Sequence, residues 1–262
     1  MSASTSAAGF SPAGWERSYR RAVRSAFARV PFYRDQWVRA GRALDTPVPT
    51  PCADLEGQAH RLCPFTEPYD AGAEPSLWIG AAAELRAALS TVGAARRAPV
   101  LEVRRAVLDR RALGPFRDYG VLLAADAKVR HERRRQELNE PALRLATAAG
   151  RAIVVGERAA VAEFLPALSG VETRVLERAG LDGAARSEVV HDRCLGYYAA
   201  RARCGHLHLL WRRFHARPTD DGALAVTALR RRRPVLVDVV PDGLATLGRC
   251  PVHHTPVLGV TP

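Results

Sequence analysis

The chain has 262 residues, 47% of them apolar, with 39 basic against 27 acidic side chains and a formal charge of +12. Such a length supports one large domain or two modest ones, with cores able to fold without disulfide staples, and no apolar run of the roughly 18 residues needed for a membrane span occurs. Lys128 is the only lysine, so the charge reads as the arginine-rich composition of a GC-rich genome rather than as a nucleic-acid-binding surface.

Residues 1 to 14 are rich in Ser and Ala and predict a disordered tail. They lack both a basic start and a sustained apolar stretch, which argues against a signal peptide and for a cytoplasmic location. Trp15, Tyr19, Val23, Phe27 and Val30 follow at steps of three and four, the spacing of one helical face. Pro31 ends or bends that helix, because proline has no N–H to continue the ladder. Residues 41 to 76 predict an irregular crossing segment with short helices. Beyond it, short β-branched runs at 99–103, 119–124, 151–155 and 173–176 alternate with helical stretches at 130–149 and 158–167. This alternation predicts a mainly parallel sheet covered by helices. From Leu195 onward the runs shorten, at 207–211, 224–229 and 234–240, with turn signals at 220–222 and 241–243. The expected fold class is therefore α/β, a core over residues 15 to 190 followed by a small antiparallel β lobe over 191 to 262.

The five cysteines do not form a secreted disulfide framework, so they are expected as thiols or metal ligands. Two groups near the end concentrate donor chemistry: Cys204-Gly-His206-Leu-His208 and Cys250-Pro-Val-His253-His254. Zinc takes four tetrahedral N and S ligands, commonly as two short-spaced pairs from separate turns, and these groups fit that demand. With four protein ligands the site is structural, leaving no position for water. Cys52, Cys63 and Cys194 have no base nearby in sequence and are expected to be packed side chains. The runs 130–135 and 230–233 read as solvated charged segments. His191 and Asp192 are adjacent in sequence, which does not make them a relay, and Tyr197-Tyr198 reads as part of a core rim.

Two segments carry a family resemblance. ARVPFYRDQW (28–37) with LCPFTEPYD (62–70), and the stretch from Glu188 to Leu258 containing HDRCLGYYAARARCGHLHL and ALAVTALRRRRPVLVDVVPDGL, are similar to the phenylacetate-CoA ligase group of adenylate-forming enzymes. The resemblance covers about half the chain. It implies an adenylate-forming α/β core, and it places His208 and Cys250 on the relatives' metal-binding positions, with Val252 where a second cysteine stands. The expected set is Cys204, His208, Cys250 and His253, with His206 and His254 as substitutes. It also places Asp242 where relatives grip the ribose hydroxyls of the nucleotide; a plain turn aspartate is the competing reading.

The departures point away from catalysis. Relatives wrap ATP phosphates with a Ser/Thr/Gly-rich loop, and only Ser90 to Gly93 offers a trace of one. Their magnesium-binding Thr-Glu pair falls on Cys194 and Leu195, and leucine cannot coordinate magnesium. Their nucleotide-side arginine falls on Val237, and the resemblance stops before the segment that carries their catalytic lysine. ATP and magnesium are accordingly not expected as cofactors, and no residue is assigned a catalytic role. The expected function is that of a divergent, non-adenylating homologue with an accessory or ligand-binding role in a biosynthetic pathway, taking a small carboxylate, a partner protein or a second copy of itself. The alternatives are a carboxylate-activating ligase completed by a partner chain, and a basic nucleic-acid-binding protein.

Overall fold

A computed structural model of the protein describes residues 9–42, 47–55, 58–68, 82–94, 98–105, 118–127, 129 and 131–260. The first helix, α1 (Pro12–Arg29), starts inside the expected tail, because Ser11 accepts a hydrogen bond from the Gly14 amide and Pro12 supplies a preset φ at the first helical position. Residues 1 to 8 lie outside the described residues. Pro31 ends α1 and then opens α2 (Pro31–Arg39). Tyr19, Val23 and Ala26 of α1 and Phe32, Tyr33 and Trp37 of α2 are buried.

The strands are β1 (Thr50–Pro51), β2 (Val100–Arg104), β3 (Tyr119–Leu123), β4 (Arg151–Gly156), β5 (Glu172–Ala179), β6 (Val189–Asp192), β7 (Gly196–Arg201), β8 (Leu207–Leu209), β9 (Phe214–Pro218), β10 (Leu224–Ala228), β11 (Val239–Val240), β12 (Thr246–Arg249) and β13 (Pro256–Gly259). Among the described residues they form a nine-stranded sheet, ordered β12-β13-β8-β7-β6-β5-β4-β2-β3, and a four-stranded sheet, β1-β11-β10-β9. From β3 to β6 the pairing is parallel, and from β6 to β12 it is antiparallel. The large sheet thus runs unbroken across residues 190 and 191, since β5 pairs with β6 and β6 with β7.

Helices α4 (Glu132–Ala149) and α5 (Arg158–Ala162) cover one face, over a core of Leu101, Val103, Leu122, Val154 and Phe164. Gly120 allows α4 to approach closely: a Cβ there would stand 2.6 Å from that of Ala142. Asn139 locks the contact, accepting from the Leu123 amide at 2.7 Å and donating to its carbonyl at 3.1 Å. The larger core on the other side gathers α1, α2, α3 (Ala82–Thr91) and the small sheet. There the two stretches of family resemblance meet. The Tyr33 hydroxyl donates to the Val235 carbonyl and accepts from the Val237 amide, and the Val235 amide donates to Leu62. No helix among the described residues is long and apolar enough to cross a membrane.

Two sequence expectations need correcting. The predicted strand at 234–240 is reduced to Val239–Val240, because Asp238 adopts φ +49, a left-handed conformation that interrupts the ladder. Cys52 and Cys194 are not free packed thiols: they form a disulfide between chain positions 142 residues apart, with Cα atoms 6.0 Å apart. Cys63, Cys204 and Cys250 are not disulfide-bonded.

Candidate metal centre

Two hairpins build the densest group of soft donors. β7 turns into β8 through residues 202–206, closed by the Gly205 amide to the Ala202 carbonyl at 2.9 Å, with Gly205 at φ +81. Cys204 sits in that turn and His208 on the strand that follows. β12 turns into β13 through residues 250–255, closed by the Cys250 amide to the Thr255 carbonyl and the His254 amide to the Cys250 carbonyl, both 2.9 Å. β13 pairs antiparallel with β8, Val257 opposite His208, which sets Thr255 and the end of the second turn beside His208.

The structure therefore brings Cys204, His208, Cys250 and His253 together, one donor atom from each lying within 4.8 Å of the others. The Cys204 sulfur stands 3.1 Å from His208 Nε2 and 3.9 Å from the Cys250 sulfur, which is 3.5 Å from His253 Nδ1. Zinc bonds of about 2.3 Å to sulfur and 2.0 Å to nitrogen put tetrahedral ligands about 3.3–3.8 Å apart, so these separations fit the ion with little adjustment. His208 Nδ1 pairs with the Thr255 hydroxyl at 2.9 Å, which fixes the ring and leaves Nε2 for the metal. The His253 amide donates to the Cys250 sulfur at 3.4 Å. Burial first, and then the His253 and His206 rings, pull the His208 imidazole down to about 4, so it is neutral at pH 7 as a ligand must be. Burial pushes the Cys204 thiol up; a bound cation acts in the opposite sense. His206 and His254, the proposed substitutes, are exposed and stand outside this set.

The other singled-out residues are placed differently. Leu195 is completely buried, and Cys194 is held in its disulfide. Arg231 donates to the carbonyls of both, at 3.0 and 2.6 Å, and its guanidinium is paired with the buried Glu84. Arg231 is thus an interior residue, unlike its exposed neighbours Arg230 and Arg232, and the run 230–233 is not uniformly solvated as expected. Val237 is buried, and Asp242 is exposed, its carboxylate 3.9 Å from Arg193. Ser90 to Gly93 ends α3, and Arg174 binds the Val92 and Gly93 carbonyls, so this segment presents acceptors outward rather than a nest of N–H donors. Asp192 accepts from the Cys194 and Leu195 amides, while the partly buried His191 packs edge-on against Tyr197. Tyr197 and Tyr198 both lie in the core. Of the 130–135 run, Arg130 lies outside the described residues; Arg133, Arg134 and Arg135 pair with Glu137 and Glu132 on the α4 surface.

Besides Glu84, sequence reasoning missed two further buried carboxylates. Glu102, completely buried on β2, accepts from Arg104 at 2.7 Å, Arg178 at 3.3 Å and the Tyr197 hydroxyl at 2.6 Å, and also from Tyr119. Those cations hold its carboxyl below the usual range although burial raises it. Asp238 joins the small sheet to α1, binding Arg217 at 2.6 Å, Tyr19 at 2.9 Å and Thr227 at 2.9 Å. The available signal was a lone acid inside an apolar run, VLEVR and VLVDVV, since a charge there must be paired.

No protein-family model and no curated protein matches the chain. Among solved structures it is similar to crystal structures of 2-hydroxyisobutyryl-CoA ligase. One is an open conformation in complex with 2-HIB-AMP and CoA, 13% identical, with 94% of this chain and 68% of that chain covered and a TM-score of 0.48. Another is the postadenylation state in complex with 2-HIB-AMP, 14% identical, covering 94% and 66%, with a TM-score of 0.49. The chain thus spans about two thirds of the length of the ligase it resembles.

Proposed function

We propose that this chain is a zinc-stapled, non-adenylating relative of adenylate-forming ligases, on the phenylacetate-CoA ligase side of that group, with an accessory role in biosynthesis. It takes a small carboxylate or docks on a partner protein. The observation that carries this reading is what occupies positions 194 and 195. Magnesium requires oxygen ligands, and here one side chain is closed in a disulfide while the other is a buried leucine. The two backbone carbonyls that remain already accept from the Arg231 guanidinium, whose positive charge opposes a second cation at the same oxygens.

The metal belongs elsewhere, on Cys204, His208, Cys250 and His253. Zinc held there supplies a cross-link between two turns, worth about 10 kcal/mol or more of folding free energy in small zinc domains. Four protein ligands leave no position for a reactive water, so the role is structural. Thr255 orients the His208 ring within the set.

Two measurements test the reading. Elemental analysis of protein never exposed to chelator is expected to give near-stoichiometric zinc, and Thr255→Val to weaken zinc retention about 10- to 100-fold; negligible zinc in the parent protein refutes the metal assignment. Carboxylate-dependent exchange of pyrophosphate into ATP is expected to stay at background across aromatic and aliphatic acids. Clear exchange by the isolated chain overturns the non-adenylating assignment and favours a working carboxylate ligase.

A further inference from the structure

A second feature is lined by none of the four cluster ligands and by none of residues 194, 195 and 242. A cavity of about 720 Å³ runs along α1, between that helix and the segment joining β10 to β11. On α1 it is lined by Ser11, Gly14, Ser18, Arg21, Ser25 and Arg29, at helical steps of three and four that form a stripe beside the buried Tyr19, Val23 and Ala26. The facing wall carries Arg230, Arg231 and Arg232, and the turn before β9 adds Trp211 and Arg212. Six arginines line this cavity, and no carboxylate does among the described residues.

The charge there is not balanced as it is elsewhere. On the α4 surface Arg133, Arg134, Arg135 and Arg144 each have a glutamate one helical turn away. Among the described residues Arg21, Arg230 and Arg232 take part in no such ion pair, and Arg29 binds only the Ser25 hydroxyl. Arg231 is committed to Glu84 and to backbone carbonyls, so it anchors the wall rather than offering charge. An adjoining cavity of about 570 Å³ shares Trp211, Arg212 and Arg230, adds Arg213, and reaches the metal cluster at His208, His253 and Thr255. The Arg213 guanidinium is pulled down from its ordinary value by burial and by the positive charges of Arg230, Arg86 and Arg231, with Glu84 opposing them.

We propose that this arginine-lined groove binds a small ligand carrying two or more phosphate groups. Guanidinium forks match phosphate oxygens in pairs, and concentrated positive charge in a concave surface attracts polyanions. The cavity volume suits a single small molecule. A nucleic-acid strand fits less well, because non-specific single-strand binding relies on bases stacking on open aromatic faces. Here Arg212 covers the Trp211 ring at 5.0 Å, and Trp15 packs on His215 at 4.2 Å with its indole N–H donated to the Phe214 carbonyl. The larger cavity goes beyond the function proposed above: its own lining includes neither the zinc ligands nor the positions where relatives hold magnesium and ribose, although Arg231 of its wall also binds the carbonyls of Cys194 and Leu195.

The test is calorimetric titration of the full chain with inorganic tripolyphosphate, with ATP and a mixed-sequence single-stranded oligonucleotide as separate arms. One-site, salt-sensitive tripolyphosphate binding is expected, weakened about tenfold or more when both charge-assisted contacts are removed in Arg21→Ala/Arg232→Ala, and unchanged in Arg144→Ala on the far helix. All substituted side chains are exposed, and circular dichroism confirms that each variant is folded. Absence of saturable tripolyphosphate binding overturns the proposal, as does equal loss in the Arg144 control. Oligonucleotide binding that is tighter than tripolyphosphate binding and lost in the double variant overturns it in favour of a nucleic-acid groove.

Discussion

Breaking the Cys52–Cys194 disulfide is expected to cost the protein several kcal/mol. Cys52 lies in the short helical turn after β1, and Cys194 in the turn between β6 and β7; both are buried. The bond ties the segment carrying β1 to the large sheet across 142 residues of sequence. Closing a loop of that length in the unfolded chain corresponds to about 5 kcal/mol at 25 °C in the chain-entropy account, and native bridges deliver about 2–5 kcal/mol. Reduction leaves two thiols in an apolar setting without opening a cavity, so the loss falls on the unfolded-state constraint. Urea denaturation of oxidised and reduced protein reads the difference as a lower midpoint at unchanged slope or, where the freed chain expands, a steeper one. Alkylation under denaturing, non-reducing conditions is expected to modify Cys63, Cys204 and Cys250 alone. Modification of all five cysteines, or midpoints that coincide, refutes the cross-link and its assigned role.

Two further outcomes follow from the buried charges. Glu102→Gln leaves Arg104 and Arg178 facing each other in the interior without their counter-charge, so a destabilisation of about 3–5 kcal/mol is expected; a loss below about 1 kcal/mol by denaturant titration rules out a central role for the pair. His215, stacked on Tyr19 at 4.2 Å and facing Glu16 at 3.4 Å, is depressed to about 4, by burial above all, with the Glu16 and Asp238 charges opposing. Its folded pKa lies below the unfolded value of about 6.5, so its contribution is complete above pH 6.5 and lost as pH falls towards 4, about 3 kcal/mol in all. Stability measured against pH is expected to be flatter over that window in His215→Gln, and an unchanged slope contradicts the assignment.

The elements the sequence exposed best were those whose signals are local. Helical spacing marked the buried face of α1, and the alternation of apolar runs with helical stretches anticipated the parallel strands from β2 to β5. The two short-spaced Cys/His pairs were legible for the same reason, since each is carried by its own hairpin. The choice of His208 over His206 was less so: it depends on β8 pairing with β13, which sets the His208 ring against Thr255, and that pairing spans about fifty positions. The disulfide was hidden for the same physical reason, because nothing near Cys52 indicates that Cys194 folds against it. Glu102 and Asp238 carried a readable signal, a single acid in an apolar strand, but their partners Arg178 and Arg217 come from other strands. The pairing of β6 with both β5 and β7 has no local signal, since the register of neighbouring strands is not written in the length of their apolar runs.

The seam between β8 and β13 gives the metal cluster a property beyond anchorage. Each hairpin assembles half of the proposed ligand set by itself, so an ion bound there would sense whether the two halves are in register. For zinc bound as proposed, thermodynamic reciprocity requires that any change loosening that edge of the sheet lower zinc affinity by the same factor by which zinc tightens it. Zinc affinity is in this sense a gauge of how firmly the edge is closed, and a partner gripping β12 or β13 would be felt by the ion without touching it.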